Sequence, residues 1–438
     1  MPKTSNGLVR TIGRASLAGL MINTIIGSGI FGLPSMVAGK LGKWVPVGYV
    51  LAGAGIAVIA GCLSEVASQF RESGGPYLYA RETLGRFWGI QIAWMTWLSR
   101  IAAASGTANL FTTYLAQVVP QAAQSFYRVA ILILLIAVLA TVNYRGVRSG
   151  TRLSDFFTVS KLLLLLVFIV AGLTWMAAGR TVSPKATHPV MVQDWLEAVL
   201  VLVYAYSGFE AVLLAGGEMR DPRRDVPTAL LMAVTLVAVV YILVQVVVDG
   251  TLPNPAGTQR PLAESAGYIF GPGAAAAVAL GTLISIYGYL SANMLHTPRL
   301  TFALAECGDF PRVFGRIHPR FRTPHVSILL YTVLFLGFAL GGNFQWNITL
   351  SAIARLFTYG SVAVALLVLR RRDPHADAYR LPAGKIFATI ALLFCGALLL
   401  RAPLGDSSVL LVTASLAAGN WFLAVRKRGS PGEERPST

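Results

Sequence analysis

Apolar residues run along the chain in blocks separated by short polar stretches, and twelve blocks reach or approach the roughly 20 residues a helix needs to cross a bilayer. Their approximate limits are 16 to 38, 45 to 69, 88 to 118, 127 to 143, 154 to 178, 193 to 217, 226 to 248, 274 to 298, 325 to 341, 346 to 369, 386 to 401 and 407 to 425. Two blocks are anomalous. The first contains Thr24-Ile25-Ile26-Gly27-Ser28-Gly29-Ile30-Phe31-Gly32-Leu33-Pro34, three glycines and a proline where a membrane helix would gain from leucine. Backbone freed by such residues is tolerated in hydrocarbon only where it packs in protein or lines a polar cavity. The sixth block contains Leu202-Val203-Tyr204-Ala205-Tyr206-Ser207-Gly208-Phe209-Glu210, with a glycine, a carboxylic acid and three aromatics in mid-block.

At a helical rise of 1.5 Å per residue, Gly27 lies roughly 17 Å into the first block and Gly208 roughly 22 Å into the sixth. Both depths fall in the central third of a hydrocarbon core about 30 Å thick. The two interruptions run in opposite directions, five helices apart. This is the pattern of an inverted-repeat membrane protein with a binding site at the midplane. The expected organisation is a tail over 1–15, a first repeat over 16–178, a second repeat over 193–369, two peripheral helices over 386–425 and a tail over 426–438. No appended soluble domain and no cleaved signal peptide are expected.

Composition agrees with membrane placement: 438 residues, 55% hydrophobic and 13% charged, with a mean hydropathy of +0.64. A net charge of +17 would suggest nucleic acid in a soluble protein. The placement of the basic residues argues otherwise. With the N-terminus inside, 26 Lys and Arg fall in cytoplasmic segments, 7 in outer loops and three (Arg100, Lys161, Arg355) within blocks. That asymmetry is the positive-inside rule. Arg370-Arg371-Arg372 and Arg426-Lys427-Arg428 then read as topology anchors facing anionic lipid headgroups. No nucleic-acid partner is expected. Cys62, Cys307 and Cys395 are scattered, and the five histidines fall in or near loops without spaced partners, so neither a disulfide nor a metal site nor a cofactor is expected.

Four motifs occur in order along the chain: Ile26-Gly27-Ser28-Gly29-Ile30-Phe31; Ser73-Gly74-Gly75-Pro76-Tyr77; Gly217-Glu218-Met219-Arg220-Asp221-Pro222-Arg223-Arg224-Asp225-Val226-Pro227; and Thr297-Pro298-Arg299 with Gly308-Asp309-Phe310-Pro311. Each is weak alone. Together, with this order and spacing over essentially the whole chain, they resemble the amino acid-polyamine-organocation (APC) superfamily of permeases. The resemblance implies an all-α polytopic fold of the LeuT type, a 5+5 inverted repeat with twelve transmembrane helices, helices 1 and 6 broken at the midplane. It also implies amino acid or amine substrates and alternating access in the cell (inner) membrane, with both termini cytoplasmic, and leaves a homodimer open.

Carried over from the family, the substrate carboxylate falls to Ser28 and the amides of Gly27, Ser28 and Gly29. The ammonium falls to the carbonyls of Ile25, Tyr204 and Ser207, beside Gly208. Helix ends agree, since an N-terminus offers free N–H groups and a C-terminus offers carbonyls. A small-residue packing face is the plainer reading of the glycines. The resemblance makes Tyr204 a gating aromatic with Phe209 beside it, against the plainer reading of Tyr204, Tyr206 and Phe209 as core aromatics.

The charges within blocks carry the remaining chemistry. Lys161 lies roughly 10 Å from the cytoplasmic edge, within snorkelling reach. In part of the family a lysine on this helix takes the place of the coupling sodium, and a buried lysine can shuttle a proton. Arg100 and Arg355 lie near mid-membrane, where an arginine must face a cavity or a partner. The plain expectation is pairing with Glu65 and Glu210; the alternative is that Arg100 selects acidic side chains, since guanidinium matches carboxylate bidentately. Glu210 reads equally as a protonated coupling group or an arginine partner.

An enzyme would need acid, base and nucleophile clustered at a wet face, and the sequence offers no Ser/His/Asp set and no phosphate-binding loop. A sensor would need an output domain. A channel would show no exchange. With these classes set aside, the resemblance implies a secondary active transporter of amino acids, proton-coupled, with a proton-independent exchanger, for acidic amino acids or amines, as the alternative.

Overall fold

A computed structural model of the chain describes residues 13–70, 74–146, 150–182, 189–210, 212–213, 222–374, 378–401 and 404–426. Among the described residues there are fifteen α-helices and no strand. They are α1 (Arg14–Ile25), α2 (Gly29–Leu41), α3 (Val45–Ser68), α4 (Gly75–Leu84), α5 (Arg86–Leu115), α6 (Ser125–Arg145), α7 (Gly150–Ala177), α8 (Val192–Tyr206), α9 (Pro222–Thr251), α10 (Pro261–Phe270), α11 (Pro272–Glu306), α12 (His325–Gly341), α13 (Phe344–Arg372), α14 (Gly384–Leu399) and α15 (Leu404–Arg426).

Seven helical stretches among the described residues are long and apolar enough to cross a bilayer, and the chain is a multi-pass membrane protein. Helix α5 is long enough but too polar to read as apolar. Its polar residues, among them Ser105, Thr107 and Asn109, are buried against protein. Ser105 Oγ donates to Phe335 O at 3.0 Å and Asn109 Nδ2 to Ala339 O at 3.2 Å, so these two polar groups of α5 are satisfied on α12. It packs chiefly on α13, and also on α4, α11, α12 and α15, at the centre of the bundle.

Two of the sequence motifs meet at one end of the bundle. Asp309 is fully buried; it accepts from the Tyr77 hydroxyl and from Arg86 Nε at 2.7 Å, with Arg81 at 3.6 Å. Asn420 Nδ2 closes on Asp309 O at 2.6 Å. Helix α4, the start of α5, the segment after α11 and α15 are thereby fastened together. Burial and the Asp309 carboxylate raise the Tyr77 phenol above its ordinary pKa, so it stays a donor. Ser73 of the second motif and Gly217 to Asp221 of the third lie outside the described residues, while Pro222 opens α9.

The expected pairing of the membrane arginines holds for Arg355 with Glu210 and needs correcting at Glu65. Glu65, fully buried near the end of α3, accepts from Arg370 at 2.8 and 2.6 Å and lies 3.8 Å from Arg380, so it pairs with neither Arg100 nor Arg355. Glu65 sits three residues from the end of α3 and Arg370 two from the end of α13, at the same level of the bundle. Arg355 is fifteen residues earlier in α13, about 22 Å away along the helix. His296, expected near a loop, lies inside α11, which continues to Glu306 beyond the expected limit at 298.

Candidate functional site

Between α1 and α2 three residues leave the helix. Ile26 adopts φ −71°, ψ 83°, and Gly27 N–H turns back to Ile25 O at 2.7 Å. Helix geometry resumes at Gly29, with Ser28 O accepting from Phe31 N–H at 3.1 Å. Close approach explains the glycine at 29: a Cβ there would stand 3.1 Å from the α-carbon of Ala205 on α8. Helix α8 ends at Tyr206, Ser207 is extended (φ −83°, ψ 164°), and Gly208 takes φ +121°. A Cβ on Gly208 would stand 2.5 Å from Thr24 O. The interrupted stretches of the first and sixth blocks therefore touch through backbone. Residues 214 to 221 lie outside the described residues.

Around this junction most of the expected site residues come together. Ser28 Oγ lies 2.7 Å from both Thr107 Oγ1 and the Tyr204 hydroxyl, which are themselves 3.3 Å apart. Ser207 Oγ and N–H both close on Tyr204 O, at 2.7 and 3.2 Å. Ile25 O accepts from Gly27 N–H and from the Tyr241 hydroxyl, which also reaches Ala205 O, both at 3.1 Å. The carbonyls of Ile25 and Tyr204 thus carry two partners each. Tyr289 of α11 covers Gly27, whose hypothetical Cβ would sit 3.5 Å from its ring.

Lys161 on α7 is 6% exposed, and its ammonium donates to Asn23 O at 2.5 Å and Ile26 O at 2.8 Å. Its side chain ends on carbonyls at the end of α1 rather than turning towards the bundle's edge. Helix C-termini present such carbonyls to cations.

Glu210 is buried and holds the Arg355 guanidinium in a close ion pair, accepts from the Tyr359 hydroxyl at 3.2 Å, and takes Gly208 N–H at 2.9 Å. Phe209 stacks on Tyr359 with ring centroids 5.8 Å apart and an interplanar angle of 10°. Arg100, half-buried on α5, stands apart: it makes no hydrogen bond or ion pair among the described residues. Glu210, Arg355, Tyr289 and Tyr331 lie within its electrostatic reach. Among the described residues, two arginines, Arg100 and Arg355, therefore share the field of the Glu210 carboxylate.

Sequence reasoning missed Thr107, Tyr241, Tyr289 and Tyr359. Thr107 carried a usable signal, standing two helical turns beyond Arg100 and so on the same face of α5. Tyr241 did too, as a phenol in an otherwise aliphatic run.

The amino acid permease family profile matches residues 12–421, nearly the whole chain. The chain belongs to the amino acid permease family. Among its relatives, the methylthioribose transporter of Bacillus subtilis is 26% identical over 89% of this chain and 88% of that protein. The serine/threonine exchanger SteT of the same organism is 27% identical over 90% and 91%, and its branched-chain amino acid permease BcaP 25% identical over 90% and 88%. As a member of the APC superfamily this permease is an amino acid transporter, not an enzyme. The solutes in those names differ widely, so membership leaves the side-chain preference to the site itself.

Proposed function

We propose that this permease is a secondary active transporter that clamps the zwitterionic part of an amino acid between the α1–α2 break and the end of α8, and couples its movement to a proton through Lys161. Gly27 N–H and Ile25 O, the donor and acceptor ascribed to the two ends of the zwitterion, are bonded to each other. A bound amino acid exchanges that bond for one from its carboxylate and one from its ammonium. Ser28 Oγ, shared with Thr107 and Tyr204, joins the carboxylate end, and Tyr204 and Phe209 close over the substrate. The observation that carries coupling is the seat of the Lys161 ammonium on Asn23 O and Ile26 O. Losing the proton breaks two charge-assisted hydrogen bonds at the end of α1, so protonation and the conformation of α1 are linked.

This reading takes the helices as twelve spans, α1 with α2 forming the first and α8 the outer half of the sixth, in a 5+5 inverted repeat with α14 and α15 peripheral. Both termini are cytoplasmic in the cell membrane, which puts α4 inside and Lys40 outside. The test is uptake of a labelled amino acid panel into proteoliposomes, with and without an inward proton gradient. Gradient-driven accumulation in vesicles without internal substrate supports coupling. Uptake only into preloaded vesicles makes the protein an exchanger and Lys161 a fixed charge.

A second reading concerns the side chain. Among the described residues Arg100 makes no hydrogen bond or ion pair and shares the Glu210 carboxylate with Arg355, which favours substrates bringing a second carboxylate, glutamate or aspartate.

A further inference from the structure

Close to the end of α9 stands a carboxylate without a cation. Asp249 lies two residues before that end, is half-buried, and makes no ion pair among the described residues. Its hydrogen-bond partner is a neutral amide: Gln245 Nε2, one turn earlier and fully buried, donates to Asp249 Oδ1 at 2.9 Å. The charged groups at this end of the elements packed on α9 have other partners or none. Lys40 of α2 pairs with Glu197 of α8, Lys43 sits over the Trp44 ring, and Arg260 stands 3.9 Å from Glu264 of α10. Arg180 follows α7, two residues before Val182, whose N–H bonds Gly250 O at 2.9 Å, yet it makes no ion pair with Asp249. Helix α1 carries only Arg14, at its opposite end, and α7 carries no charge after Lys161.

Gln245 links this carboxylate to two further helices. A side-chain amide has two N–H donors and an acceptor oxygen, and here all are used. Nε2 also donates to Pro34 O of α2 at 3.3 Å, and Oε1 accepts from the Tyr49 hydroxyl of α3 at 3.2 Å. Turned over, the amide would set its oxygen against two acceptors, so an ionised Asp249 fixes its orientation. A protonated Asp249 can donate, which removes that bar on one side. Pro34 leaves α2 one backbone donor short, so the turn that Gln245 grips is weakly held by the helix itself. Tyr49 O in turn accepts from the Tyr206 hydroxyl, at the end of α8, at 3.1 Å.

We propose that Asp249 is a second proton-accepting group of this permease, which takes a proton from the outer face and, through Gln245, frees α2 for the movement that admits substrate. This rests on the topology and the proton coupling proposed above. Lys161 is seated on the end of α1 and Asp249 acts on α2, so each half of the interrupted first span answers to its own titratable group. Asp249 touches neither the α1–α2 break nor the end of α8 and is a positioning residue.

The experiment is uptake of the best-transported neutral amino acid into proteoliposomes preloaded with the same unlabelled amino acid. Internal pH is fixed and external pH set at about 5.5 or about 8, a range over which such a substrate keeps its charge. Preloading removes the need for a proton driving force, so the profile reads the outer face. The wild-type initial rate should be about tenfold higher at the acid pH, the weight of one charge-assisted hydrogen bond. Asp249→Asn should run at the acid rate at both pH values, and Asp249→Glu should restore the dependence. Gln245→Met keeps the carboxylate but cuts its link to α2; it should flatten the profile too, and it decides the matter should Asp249→Asn fail to insert. A wild-type profile in Gln245→Met or in an inserted Asp249→Asn overturns the role of Asp249 and leaves coupling through Lys161 standing. So does a flat or inverted wild-type profile with gradient-driven accumulation intact. A flat profile with no such accumulation overturns both.

Discussion

The α-carbon of Gly208 packs against the carbonyl of Thr24, so that a Cβ would stand 2.5 Å from that oxygen on a backbone already at φ +121°. Both terms oppose any other residue. An L side chain in such a conformation costs about 1 to 3 kcal/mol, and here the neighbour is backbone that cannot rotate away. Gly208→Ala should therefore separate α8 from α1. We expect substrate binding to fall at least tenfold and the thermal unfolding midpoint in detergent to drop, with membrane insertion retained. A variant with wild-type binding and midpoint would mean that the junction yields freely.

Lys161→Ala tests coupling at the other side of the same break. With the ammonium gone, Asn23 O and Ile26 O lose their donor whatever the pH. Accumulation driven by an inward proton gradient should fall more than tenfold, while exchange into preloaded vesicles persists. The sign follows from linkage: a proton bound in one conformation and released in the other drives transport only if the group that carries it is present. Undiminished gradient-driven accumulation would remove Lys161 from the mechanism.

Arg100 makes the substrate prediction. Replacing it with glutamine should lower the apparent affinity for glutamate and aspartate by roughly 10- to 150-fold, the range of a charge-assisted hydrogen bond of about 1.5 to 3 kcal/mol. Transport of serine or leucine should change little. Competition assays with unlabelled amino acids against the best-transported label would separate the two classes. An identical competition profile in the variant would leave Arg100 a bystander.

What the sequence made legible was whatever a membrane forbids elsewhere. Gly27 to Gly29, Gly208 and Lys161 are costly in hydrocarbon, and the structure gathers all of them at one junction. Pairings among charges were less legible. Glu65, like Glu210, reads from the sequence as a partner for Arg100 or Arg355 because all four lie within apolar blocks, yet register along α3 and α13 sets Glu65 beside Arg370. Spacing within one helix can be read from sequence, whereas the relative height of two helices depends on how the bundle packs. The hydroxyl partners of Ser28 were hidden for a similar reason: Thr107 is an unremarkable residue until α5 is set against α1. Charge balance stayed invisible at first, because it depends on which arginine reaches Glu210.

That choice makes the last prediction. Arg355 and Glu210 form a buried pair that Tyr359 and the Gly208 amide complete, so Glu210 is tied to the end of α8 as well as to α13. Removing one partner strands a charge in a low-dielectric interior and costs about 3 to 5 kcal/mol, whereas removing both with well-packed replacements is often neutral. Arg355→Met and Glu210→Gln should each lower the unfolding midpoint, and the double variant should recover much of the loss. The singles should nevertheless differ. Glu210→Gln leaves two arginines, Arg100 and Arg355, without a carboxylate between them, and should tighten glutamate binding if either reaches the substrate. Arg355→Met frees Glu210 to pair with Arg100, which lies within its electrostatic reach, and should abolish any preference for acidic amino acids. A double-mutant cycle on stability, with glutamate affinity measured on the same four proteins, separates a structural pair from one that sets the charge of the site. Equal glutamate affinity in all four would confine the pair to stability.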